Sequence, residues 1–204
     1  MTRRRSMFAG AVVGTLIVAA LPRVASAHLV TTGLGPVYDG ISHLLLSPDD
    51  LLPVIALALL AGLRGPAAGR QALFVLPVAW LAGGIGGLYA SGSTGFPVPA
   101  ISLMLLGILV ASDLRVPNLV IAVLATALGF AHGGLDGTGL RPPSTGVLAL
   151  IGMAVMLFVL IAIVAGFIVT LRRPWQRIVV RVGGSWLAAI GLLLLGWALH
   201  GVGK

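Results

Sequence analysis

The side chains in this sequence that can bind a metal ion or exchange a proton near neutral pH are few and of two types. The chain has four histidines and five acidic residues, and all five acids are aspartate. It has no cysteine, which excludes disulfide bonds, thiolate metal sites and cysteine nucleophiles. Any metal site must therefore use imidazole, carboxylate, backbone oxygen or water as ligands.

Asp39 and His43 are four positions apart, a spacing that suits a metal site. On a helix, residues i and i+4 share one face. Two such side chains can bind one ion together, or the carboxylate can orient the imidazole by a hydrogen bond.

The segment that follows this pair is predicted to start a new helix. Ser47 has the type of an N-cap residue, Pro48 suits the first helical position, and the next two residues are acids, which the helix dipole favours there. The first apolar segment is therefore predicted to be broken near residue 47, a feature that marks binding sites in transporters. Asp49 and Asp50 are either capping residues or secondary metal ligands.

His132 and Asp136 repeat the four-residue spacing within a glycine-rich stretch, residues 129–137. Close backbone approach at the glycines and an available imidazole suit an ion site. Two alternatives stay open: the glycines end the helix before Asp136, or His132 is hydrogen-bonded to a neighbouring helix. His200, near the C-terminus, is predicted to lie at the membrane interface.

The elements that position these residues must be membrane helices. The 204-residue chain is 58% hydrophobic and 9% charged, with a mean hydropathy of +1.11. That composition provides too little polar surface to coat a water-soluble globule. The basic residues lie in short clusters between apolar runs without interleaved aromatic residues, so they are predicted to set topology in a lipid bilayer, not to bind nucleic acid.

Residues 1–27 are predicted to be a cleaved signal peptide. Three arginines precede the apolar residues 7–21, and residues 25–27, Ala-Ser-Ala, form the small-x-small pattern that signal peptidase cuts. The alternative is an uncleaved first transmembrane helix, for which a run of about 15 apolar residues is short. Cleavage would make His28 the N-terminal residue of the mature domain, 28–204. Its α-amine and imidazole can then chelate one metal together.

The predicted fold class is an all-α, polytopic membrane helix bundle with six transmembrane helices, the first of them broken. Its approximate segments are 37–63, 71–90, 97–112, 117–133, 145–171 and 183–200. If cleavage places the mature N-terminus outside, seven of the nine remaining basic residues fall inside, in keeping with the positive-inside rule. We therefore expect a multi-pass protein of the bacterial inner membrane with both mature termini outside.

In this orientation, the histidines and four of the five aspartates collect at the outer ends of the spans. Ionisable groups inside a membrane are costly and therefore functional by default. Only Asp113 falls inside, where an ion pair with Arg115 is expected. The predicted metal ligands are His28, Asp39, His43, His132 and Asp136, with Asp49 and Asp50 as possible secondary ligands.

These motifs resemble those of the HupE/UreJ family over residues 28–200. The likeness rests on the signal peptide, on the first-span sequence of residues 38–45 and on His132-Gly133 in the fourth span. The first span keeps Asp and His at a different spacing, and Asp136-Gly137 stands where a second His-Gly is usual, as in a divergent branch. The resemblance implies six spans and a link to nickel or cobalt uptake.

The sequence thus predicts a non-enzymatic metal permease or metal-binding membrane protein that handles Ni²⁺, Co²⁺, Cu²⁺ or Zn²⁺ as substrate or bound ion. Its expected partners are the lipid bilayer and metal-delivery or metalloenzyme-maturation proteins. Two alternatives are a metal-dependent intramembrane hydrolase, in which the same site activates water, and a non-catalytic accessory subunit.

Overall fold

The computed structural model describes residues 31–90, 96–140 and 143–201, and within these ranges every regular element is an α-helix. The predicted signal peptide and His28 lie outside the described residues. Proline is the first or second residue of most of the helices, where its fixed φ suits the opening turn. The helices are α1 Pro36–Leu46, α2 Pro48–Arg64, α3 Pro66–Tyr89, α4 Val98–Ser112, α5 Asn118–Gly139, α6 Pro143–Val169 and α7 Pro174–Gly201.

The chain bends by 75° between α1 and α2, which confirms the predicted break in the first apolar segment. Ser47 adopts an extended conformation there, with φ −97° and ψ 97°. It is the N-cap residue of α2 by position, but its side chain makes no capping hydrogen bond. Its carbonyl instead accepts from the amides of Asp50 at 3.1 Å and Leu51 at 2.9 Å.

Four helices, α3, α5, α6 and α7, are long and apolar enough to cross a membrane, and the bent pair α1–α2 makes a fifth if it counts as one span. α4 is a shorter apolar helix of 15 residues. The protein is therefore a multi-pass helical membrane protein, and the full count of six spans stays a prediction. α5 continues to Gly139, so the glycines after His132 do not end the helix before Asp136.

The packing of α3 against α5 depends on glycines that face the opposite backbone. A Cβ atom at Gly83 would overlap the carbonyl of Phe130, and one at Gly133 would overlap the carbonyl of Trp80. Gly87 and Gly137 face the backbone of the opposite helix in the same way. Such close approach gives dispersion contacts where no hydrophobic effect drives helices together. These glycines therefore let α3 and α5 pack backbone against backbone.

α1 packs on α6 in the same way, through glycines that face the backbone of the opposite helix. A Cβ atom at Gly40 would overlap the carbonyl of Ala149, and one at Gly152 would overlap the carbonyl of Val37. α2 lies at the centre of the bundle and contacts every other helix, with its alanine side chains and half of its leucine side chains buried. These contacts fix the bend between α1 and α2 in place.

Asp113 closes the end of the bundle at which α2 and α4 finish and α5 and α7 begin, which we call the arginine end. The predicted ion pair with Arg115 is wrong, because the Asp113 carboxylate pairs with Arg64 and Arg177. The Arg177 Nη2 atom lies 3.2 Å from Asp113 Oδ1. Helix packing brings these arginines from the end of α2 and the start of α7, whereas Arg115 lies in the same loop as the aspartate.

The glycine packing predicts opposite effects for two alanine substitutions in α3. Gly83→Ala places a methyl group against the α5 backbone and should destabilise the protein by about 1–3 kcal/mol. Gly86→Ala meets open space and should be neutral or stabilising by up to about 1 kcal/mol, because alanine is the better helix former. Thermal unfolding in detergent measures both. Equal melting temperatures for the two variants would contradict this packing.

Candidate metal centre

Three ligand side chains converge at the end of the bundle opposite the arginine end. Each of His43, Asp50 and Asp136 offers one ligand atom, and these atoms all lie within 4.8 Å of one another. Ligand atoms bound to one ion at about 2.1 Å lie roughly 3–4 Å apart, so side-chain movements on the order of 1 Å bring all three into one shell. We call these three residues the His/Asp cluster.

The break between α1 and α2 creates this arrangement. His43 lies in the last turn of α1 and Asp50 in the first turn of α2, on the two sides of the 75° bend. Asp136 comes from α5, and its Oδ1 atom lies 3.5 Å from His43 Nε2. The cluster therefore joins three elements that are distant in sequence or separated by the bend.

A cavity of about 230 Å³ adjoins the cluster and is large enough for a hydrated ion. All three cluster residues line it, together with Ser47, Asp49, Pro99 and Gly139 among others. The side chains of His43 and Asp136 keep exposed fractions of 16% and 8%, so an ion can reach them from this cavity. A site with three protein ligands leaves coordination positions for water or an incoming ligand.

His132 adjoins the cluster but binds other residues through both ring nitrogens. Its Nδ1 atom lies 2.8 Å from Asp50 Oδ1 and its Nε2 atom 2.9 Å from Ser102 Oγ. The ring is fully buried. In this arrangement neither nitrogen is available to an ion, so His132 fixes the carboxylate of Asp50, as groups behind metal ligands commonly do.

Ser102, His132 and Asp50 form a hydrogen-bonded chain in the order found in serine hydrolases. The Ser102 hydroxyl also lies 3.0 Å from the carbonyl of Pro99, three residues earlier, which accepts its proton. Serine in a helix commonly makes this bond to its own backbone. A hydroxyl that donates there cannot give the same proton to His132, and this favours an orienting role for Ser102 over a nucleophilic one.

Trp80 of α3 holds the other carboxylate of the cluster. Its indole Nε1 atom donates to Asp136 Oδ2 at 3.1 Å. The indole is fully buried, and its ring lies against His132 with 5.7 Å between the centroids. The close approach of α3 and α5 at the glycines brings this side chain to both residues.

The structure brings together two of the five predicted ligands, His43 and Asp136, and places His132 next to them. Asp39 is not in the cluster, and its Oδ1 atom accepts instead from the amide and hydroxyl of Thr32 at 2.6 and 2.7 Å. Of the two secondary candidates, Asp50 is in the cluster and Asp49 is exposed beside it. His200 is exposed near the end of α7.

Sequence reasoning missed Ser102 and Trp80. A serine in an apolar helix is common and carries no spacing signal towards a histidine 30 residues away. Trp80 had a weak signal, because a buried tryptophan in a span needs a hydrogen-bond partner for its indole nitrogen. No carboxylate could be assigned to it without knowing that α3 packs on α5.

Comparison with known proteins agrees with the resemblance seen in the motifs. The family described as HupE / UreJ protein matches residues 16–194. Protein HupE of Rhizobium leguminosarum bv. viciae is 26% identical over 187 residues, covering 89% of this chain and 95% of that protein. No solved structure matches the chain.

The contact between Asp50 and His132 predicts strong coupling between two substitutions. Asp50→Ala or His132→Ala alone leaves a buried polar partner unpaired and should destabilise by about 3–5 kcal/mol. The double variant should lose less than the sum, by about 1–3 kcal/mol. Unfolding in detergent measures the cycle. A control cycle that combines Asp50→Ala with His200→Ala, a change at an exposed residue, should be additive. Additivity in both cycles would contradict the contact between Asp50 and His132.

Proposed function

Because the chain belongs to the HupE/UreJ family, which is associated with nickel or cobalt transport or handling, we propose that it binds a divalent transition-metal ion at the His/Asp cluster and conducts it into the membrane. The family comprises transporter or accessory proteins and is not known for enzymes. The observation that carries the proposal is the convergence of His43, Asp50 and Asp136 on one cavity.

The chemistry of the cluster suits exchangeable binding of a borderline cation. One imidazole and two carboxylates form a nitrogen and oxygen set that Ni²⁺, Co²⁺, Cu²⁺ and Zn²⁺ all accept. Each carboxylate has a second oxygen: Asp50 can bind His132 with one and the ion with the other, and Asp136 can do the same with Trp80. The two hydrogen bonds then hold both ligands in orientation without occupying the ion's coordination sphere.

Further ligands can come from the segment before α1. His28 stays a predicted ligand through its imidazole and, if the signal peptide is cleaved after Ala27, its amine. Asp39 holds Thr32, four residues after His28, against the start of α1. In this proposal Asp39 positions the N-terminal segment, and N-terminal sequencing of the mature protein establishes whether His28 begins it.

We also propose that the His/Asp cluster faces outward in the inner membrane. The end regions of the helices at the arginine end carry seven arginines, as the positive-inside rule requires of a cytoplasmic face. They are Arg64, Arg70, Arg115, Arg172, Arg173, Arg177 and Arg181. An inside-negative potential would then favour cation entry from the cluster by about 2.3 kcal/mol per charge per 100 mV.

The metal site predicts a clear difference between two adjacent aspartates. Asp50→Asn should weaken Ni²⁺ or Co²⁺ binding by at least tenfold, because it removes a charged ligand. Asp49→Asn makes the same chemical change one residue away and should alter affinity less than about threefold. Equilibrium dialysis of the purified protein measures both, with His43→Ala expected to resemble Asp50→Asn.

Uptake into proteoliposomes separates conduction from binding. Wild-type protein and Asp49→Asn should admit at least one of Ni²⁺, Co²⁺, Cu²⁺ and Zn²⁺, and His43→Ala should not. Metal binding without uptake would contradict the proposed conduction and leave the cluster as a binding site only. Equal binding by wild type, Asp50→Asn and His43→Ala would contradict metal binding at the cluster.

The orientation predicts different labelling of two engineered cysteines. The chain has no cysteine of its own, so each variant carries one thiol. Leu34→Cys lies just before α1 and is exposed, and Arg173→Cys is exposed between α6 and α7. A membrane-impermeant maleimide should label Leu34→Cys in intact spheroplasts and Arg173→Cys only after permeabilisation. The reverse pattern would contradict the proposed orientation.

A further inference from the structure

A polar cavity of about 460 Å³ lies at the arginine end, far from the His/Asp cluster. Asp50 and Arg64 lie near opposite ends of α2, about 21 Å apart at 1.5 Å per residue. Three arginines line the cavity, Arg64, Arg115 and Arg177, with Asp113 as the one acid among its lining residues. Its local formal charge is therefore +2, which repels metal cations and attracts anions.

The arginines of this cavity retain unused hydrogen-bond donors. The side chain of Arg64 is only 6% exposed, and its Nε–H is buried without a hydrogen-bond partner, although its terminal nitrogens bind Asp113 and the carbonyl of Leu114. A buried donor without a partner costs about 1–3 kcal/mol, so a ligand that accepts from it is favoured. Within the described ranges, Arg115 makes no hydrogen bond or ion pair at all.

The start of α5 adds a third source of positive potential. Asn118, the first residue of this helix, also lines the cavity. The N-cap position is Pro117, and no side chain caps the first turn. Unpaired amides and the helix dipole at such an end attract anions, and phosphate groups above all.

From these three observations we propose that the cavity binds a phosphate group through Arg64, Arg115 and the first turn of α5. The cavity lies where α2 and α4 end and α5 and α7 begin, the level at which a bilayer presents its headgroups. The phosphate of an anionic phospholipid reaches it there without leaving the membrane, and inorganic phosphate offers the same chemistry from solution. The site does not depend on the proposed metal function.

Arg115→Gln tests the proposal with little effect on the fold, because Arg115 is exposed and makes no hydrogen bond or ion pair within the described ranges. The matched control is Arg70→Gln, which makes the same change of charge in the second turn of α3, outside this cavity. Thermal unfolding in neutral detergent is measured against added phosphatidylglycerol, phosphatidylcholine and, separately, inorganic phosphate.

We expect phosphatidylglycerol to raise the melting temperature of wild type and Arg70→Gln more than phosphatidylcholine does. Arg115→Gln should need about five times more phosphatidylglycerol for the same shift, which corresponds to about 1 kcal/mol for one arginine. The same fivefold difference with inorganic phosphate alone would support a site for free phosphate. Identical responses of Arg115→Gln and Arg70→Gln in both arms would overturn the proposal.

Discussion

The close contact between the backbones of α3 and α5 is the constraint on which the rest of the structure depends. Glycines on both helices remove the side chains that would hold the two backbones apart. The resulting separation brings the Trp80 indole within hydrogen-bond distance of Asp136 and against the ring of His132. A wider separation would leave a carboxylate and an imidazole inside the membrane protein with fewer partners. The same glycines that pack the bundle therefore position its polar residues.

The buried polar groups in turn explain why the bend between α1 and α2 is maintained. His132 lies on a rigid helix and is fully buried, so the residue that satisfies its Nδ1 atom must come to it. Asp50 can do so only from the first turn of α2, at the level where the chain changes direction. A straight continuous helix would place His43 and Asp50 seven residues, or about 10 Å, apart along one axis. The bend brings the two side chains to one cavity.

Much of this could be read from the sequence because the physics involved is local. Apolar segments of span length, the helix start at Pro48 and the exclusion of thiolate chemistry depend on neighbouring residues or on composition alone. The composition of the site could not be read in the same way. Asp39 and His43 share a helical face, which predicts Asp39 as the partner of His43 in the site. In the structure the 75° bend brings Asp50 to His43 instead, and Asp39 forms hydrogen bonds with Thr32. Asp113 shows the same limit, because its arginine partners lie 49 and 64 residues away.

The proposed passage of an ion from the His/Asp cluster would require the bundle to move. The core of α2 below Asp50 is lined by leucine, alanine and valine, and no ionisable side chain of the described helices lies between the cluster and the arginine end. Two of the three ligands are on different sides of the break, with His43 on the short helix α1 that packs mainly on α6. Asp136 is fixed by α3. Movement of α1 would therefore remove one ligand and leave two, which weakens binding without dismantling the bundle, the behaviour that broken helices give to transporters.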